Sequence, residues 1–162
     1  MGLHSTRWKH AVSEASRFTE QYSAPPIPVV EIAEGNGVDV VFADFGTHSE
    51  TVAGFCDFRA SKLFVNRADK LERQLFTIAH EFGHWVLHRE FFLANPDKYP
   101  VFPRFQSGAS KNSYEQEANK FAANLLVPDR LLRPVSSAPV SVLANIFKVS
   151  KTMMEFRLQD GR

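Results

Sequence analysis

Cys56 is the only cysteine in the 162 residues, so neither an intrachain disulfide nor a cysteine-rich zinc site can form. The lone thiol reads as a small buried hydrophobe. No charge of one sign dominates either: 19 lysines and arginines stand against 18 acids, which leaves no overall field to recruit nucleic acid or an anionic membrane. No apolar run reaches the ~20 residues that span a bilayer. The stretch MGLHSTRWKHAVSEASRF lacks the apolar core of a secretory signal, and the expectation is a soluble, cytoplasmic protein. MGLHST matches the myristoylation pattern, but a pattern that short arises readily by chance. Internal repeats and low-complexity tracts are also absent. What the chain does have is a 44% hydrophobic and 23% charged composition, that of one globular domain with material for a core.

Apolar positions at helical spacing (Trp8, Val12, Ala15, Phe18, Tyr22) predict an N-terminal helix over 7–22, ended by the prolines of SAPPIP. A short helix over 28–34 stops at Gly35 and Gly37. VDVVF (38–42), TVAGFCDF (51–58) and KLFVN (62–66) read as strands of a small antiparallel sheet. From Ala68 to about Arg89 the pattern turns helical, and it is apolar nearly all round from Leu75 to Leu87, as for a helix packed on several sides. Residues 91–112, rich in proline, glycine and serine, read as a long loop. A second strong helix follows over 113–127, and shorter helices fill 128–160. The sheet and first strong helix thus occupy 38–89.

HEFGHWVLH, residues 80–88, carries the chemistry. Positions i and i+4 of a helix lie on one side a turn apart, so His80 and His84 can offer two imidazoles to one ion with Glu81 beside them. In this HExxH arrangement the histidines bind zinc and the glutamate acts as general base. Gly83 costs about 1 kcal/mol in a helix interior and implies the close approach of another element. A catalytic zinc needs a third protein ligand, and YEQEANKFAANLLVP offers Glu115 and Glu117, which point about 160° apart on a helix. Ala118, Phe121, Ala122, Leu125 and Leu126 mark the inward stripe; Glu115 lies near its edge, while Glu117 falls outside and reads as a solvated helix-start acid. Asn119, one turn beyond Glu115, is placed to hold a ligand. His88, one turn past His84, can touch the substrate or the oxyanion or sit favourably at the helix carboxyl end, and the structural role is the favoured reading. Tyr99, Tyr114 and His48 remain open as oxyanion donors.

HEFGHWVLH followed about thirty residues later by EQEANKFAANLLVP resembles the ImmA/IrrE family of zinc metallopeptidases, in which a glutamate of an ExxAN-type helix completes the HExxH site. The likeness runs loosely over residues 25–160. It implies His80, His84 and Glu115 as zinc ligands and Glu81 as the catalytic base. The fold expected is α+β and zincin-like, a small antiparallel sheet packed against the active-site helix with further helices. The family's studied members cleave or inactivate a helix-turn-helix repressor, so the expected function is a zinc endopeptidase of narrow specificity acting on an Xre-type repressor in trans. The alternative is a toxin or binding component of a toxin–antitoxin pair. VSVLANIFKVSKTMMEFRL resembles half of a helix-turn-helix, with Lys148, Lys151 and Arg157 as its basic residues, but one such pair without a basic surplus makes direct nucleic-acid binding an unfavoured reading.

Overall fold

A computed structural model of the chain describes residues 6–104 and 112–160. The MGLHST pattern, except for Thr6, lies outside them.

Among the described residues, seven α-helices and a four-stranded sheet make up an α+β fold. Helix α1 (Trp8–Thr19) buries Ala11 and Ala15, and leaves Trp8 exposed. Helix α2 (Val29–Gly35) leads into strand β1 (Asp39–Ala43). Strands β2 (Val52–Asp57) and β3 (Lys62–Asn66) follow, and helix α3 spans Leu71–Ala94. Strand β4 (Phe102–Pro103) precedes helix α4 (Ser113–Leu126), after which α5 (Asp129–Leu132), α6 (Val140–Phe147) and α7 (Lys151–Asp160) complete the chain.

The sheet order is β1-β3-β2-β4, and here the antiparallel expectation needs correction. Strand β2 is antiparallel to both neighbours, but β1 pairs with β3 in parallel, Val41 opposite Phe64. The reason is insertion: β3 returns from the tight β2–β3 link into the place between β1 and β2, so it runs the same way as β1. The loop expected over 91–112 is also shorter. Helix α3 continues to Ala94 because Phe92 is buried against Phe58 and Tyr99. A 3-10 turn at Pro96–Lys98 and strand β4 then occupy the next residues, and residues 105–111 lie outside the described part.

Helix α3 lies between the sheet and α4, which fixes everything at the site. Gly54 on β2 permits the first contact: a Cβ there would come within 2.5 Å of the Phe64 carbonyl oxygen and of Thr77 Cγ2 on α3. Gly83 permits the second, since its Cβ would meet Phe121 Cδ1 of α4 at 2.9 Å. Asn66, fully buried, pins the end of β3 by donating from Nδ2 to the carbonyls of Ser49 and Val52 while its Oδ1 accepts from the Ala68 amide. No helix among the described residues is long and apolar enough to cross a membrane.

Candidate metal centre

Packing of α3 on α4 brings His80, His84 and Glu115 together, with their ligand atoms all within 4.8 Å of one another. Glu115 Oε1 lies 3.1 Å from His80 Nε2 and 2.6 Å from His84 Nε2. The start of α4 is set by Asn112, whose side chain accepts from the Tyr114 and Glu115 amides, so the Glu115 backbone is held at the point where its carboxylate must reach α3. The outer nitrogens of the two imidazoles are occupied: His80 Nδ1 lies 2.8 Å from Asn119 Oδ1, and His84 Nδ1 lies 2.9 Å from His88 Nδ1. With both Nδ1 atoms engaged, the two Nε2 atoms turn toward the carboxylate, and two imidazoles and a carboxylate so arranged can hold a divalent cation.

Glu81 stands beside this cluster without joining it. Its Oε1 accepts from the Tyr99 hydroxyl at 2.6 Å, and that hydroxyl in turn accepts from the Cys56 amide at 2.6 Å. Its Oε2 is buried without a hydrogen-bond partner and lies 4.0 Å from His80 Nε2. An orphaned carboxylate oxygen at that depth is costly unless something in the site uses it. Burial pushes the Glu81 carboxyl up to about 7; the nearby His80 and the Tyr99 hydroxyl oppose the rise, and the charge of Glu115 adds to it. Burial works in the same direction on Glu115, but hydrogen bonds and charge from His80 and His84 outweigh it and hold that carboxyl well below its ordinary value. His84 is drawn down to about 4 by burial despite Glu115.

The expectation for Glu117 is overturned. Glu117 is fully buried, with Oε1 2.8 Å from His88 Nε2 and Oε2 accepting from the Arg7 backbone amide at 2.8 Å. Helix α1 packs on the flank of α4 that a single-stripe reading leaves to water. His88 is 2% exposed and ties His84 to Glu117, a role in the interior and not at an open helix end. Asn119 meets His80, on the side its spacing gave. Of the three oxyanion candidates, Tyr99 is engaged with Glu81, Tyr114 sets its ring edge-on to His88 at 4.9 Å, and His48 is exposed in a 3-10 turn at Gly46–His48. Phe102 was not foreseen: its ring stacks on the His80 imidazole at 4.0 Å and 17°, and Arg73 holds the strand by donating to the Pro103 carbonyl. Only the aromatic residues of the 91–112 stretch hinted at it.

The family model for the peptidase M78 family, described as the IrrE N-terminal-like domain, matches residues 33–159. Among solved structures, a Mycobacterium tuberculosis transcriptional regulator is similar in fold, with a TM-score of 0.66 and 15% identity over 92% of this chain. The chain spans 46% of that protein's length. No curated protein sequence gives a significant match.

Proposed function

Since a match over residues 33–159 places the chain in the peptidase M78, IrrE N-terminal-like family of metallopeptidases, we propose that it is a zinc-dependent endopeptidase of narrow specificity that cleaves or inactivates a helix-turn-helix, Xre-type repressor in trans. The observation that carries the reading is the junction of the His80, His84 and Glu115 cluster with an unpartnered Glu81 oxygen aimed at it. Two neutral imidazoles and one carboxylate form the donor set of a catalytic zinc site, which leaves a position open. Bound there, zinc supplies Lewis acidity toward a carbonyl oxygen and toward water.

The residues of the chain do the rest. Tyr99 fixes Glu81 through Oε1, leaving Oε2 to take the proton of the attacking water and return it to the leaving amine nitrogen. Burial raises the Glu81 carboxyl, which favours its taking up the proton before it passes to the leaving nitrogen. His80, Glu81 and His84 are 0% exposed and Glu115 5%, with Phe102 stacked on His80 and Tyr99 set edge-on to His84 and bonded to Glu81. A peptide therefore reaches Glu81 only after the segment carrying Phe102 has moved, and that step limits which chains are cut.

The same burial favours a second reading, a toxin or binding component of a toxin–antitoxin pair that uses this domain without general proteolysis. Co-expression with an Xre-type repressor separates the two. The peptidase reading expects a cleaved repressor and derepression with the wild type, and neither with Glu81→Gln at unchanged zinc content. Derepression that survives Glu81→Gln in full transfers the function to binding.

A further inference from the structure

We propose that His88 and Glu117 are positioning residues for this centre, fixing which nitrogen of His84 faces the metal. The inference rests on the reading above that His84 coordinates through Nε2. A coordinating Nε2 must be bare, so the single hydrogen of the neutral ring sits on Nδ1. That atom lies 2.9 Å from His88 Nδ1, which accepts the hydrogen only if its own ring carries hydrogen on Nε2. His88 Nε2 in turn lies 2.8 Å from Glu117 Oε1, and a carboxylate oxygen accepts and does not donate. Each link determines the next. A carboxylate at the far end sets the tautomer of His88, and His88 sets that of His84.

Burial gives the chain its force. Glu117 is 0% and His88 2% exposed, so bulk water does not supply a substitute donor or acceptor. Glu117 is itself held from the start of α1, through the Arg7 backbone amide to Oε2 and the Arg7 guanidinium to Oε1 at 3.4 Å. His80 is held differently, by an amide oxygen of Asn119 directly on Nδ1. A pair that only filled space would leave the direction of the hydrogens along His84 and His88 open; a terminal carboxylate does not.

Long-range nitrogen–proton spectra of the zinc-loaded full chain, with isotope-labelled histidine, read the tautomers with His84 Nε2 occupied, because without metal the Glu115 carboxylate 2.6 Å away competes for the His84 hydrogen. The expected result is hydrogen on Nδ1 of His84 and on Nε2 of His88; hydrogen on Nδ1 of His88 overturns the proposal. Two variants then separate positioning from packing. His88→Asn and His88→Leu both lose the contact with Glu117, but the asparagine Oδ1 takes the place of Nδ1 and still accepts from His84, whereas leucine offers no acceptor. In competition with a chromophoric chelator, zinc affinity should fall about 10–100-fold in His88→Leu and stay close to wild type in His88→Asn. Equal zinc affinity in the two variants makes the pair a packing feature and overturns the proposal. A wild type that binds no zinc defeats the metal reading, and this proposal, which rests on it, falls with it; a wild type that binds zinc, with equal affinity in the two variants, defeats this proposal alone. Should the leucine variant fail to fold, the wild-type tautomers decide alone.

Discussion

Glu115 and Glu117 leave one helix on different flanks and meet different histidines, so their loss has different consequences. Glu115→Ala removes the carboxylate between His80 and His84, and zinc retention after dialysis should fall to background. Glu117→Ala strips the acceptor from His88 and Arg7; thermal unfolding should show a loss of about 2–3 kcal/mol, with residual zinc binding at saturating metal. The reverse ranking of zinc loss would mean that α4 is rotated. This pair also marks how far the sequence could be read at this scale. Helical spacing, the apolar stripe and the family resemblance put His80, Glu81, His84, Glu115 and Asn119 on the helix sides that the fold brings together, because i, i+3 and i+4 relations are local to a helix. The reading failed at Glu117 because the helical wheel assumed one buried stripe, and α4 is buried on two flanks, against α3 and against α1. Nothing within α4 announces the arrival of Arg7 from 110 residues away.

At the scale of elements, the glycines of β2 and α3 and the short strand β4 decide whether the site forms and whether it opens. Gly83→Ala gains about 1 kcal/mol of helix propensity but drives a methyl into Phe121 of the closed α3–α4 contact, where overpacking costs about 1–3 kcal/mol. The net expectation is a lower melting temperature, and an unchanged or raised one would show that α4 yields easily. Phe102→Ala removes the ring that stacks on His80 and packs on Phe76, so a chelator should extract metal from the variant several-fold faster than from the wild type. Equal extraction rates would mean that β4 does not control access. The strands of the sheet and the two strong helices could be read from their apolar patterns, but β4 could not. A two-residue strand that ends in proline has no periodicity, and its place is set by tertiary partners: Arg73 on the Pro103 carbonyl and the Arg104 amide on the Thr51 carbonyl. The parallel β1–β3 pairing was hidden for the same reason, since strand order is not a local property.

Across the whole molecule the C-terminal helices serve the packing around α4. Arg157 is 3% exposed and donates from Nε and Nη2 to the Val127 carbonyl at 3.1 and 2.8 Å, so α7 clasps the end of the helix that carries Glu115. Arg157→Ala should lower stability by about 2 kcal/mol in chemical denaturation, and a surface-like change near zero would contradict the clasp. This use of Arg157 removes one of the three basic residues that gave the segment its nucleic-acid character and agrees with the family assignment to metallopeptidases. The proposed chemistry depends on the helix contact creating a metal centre at His80, His84 and Glu115. The direct measurement is metal content of the purified full chain, by mass spectrometry, for the wild type and for a His80→Ala, His84→Ala double variant. A metal centre there requires about one zinc per wild-type chain and none in the double variant; equal zinc in the two proteins would exclude it.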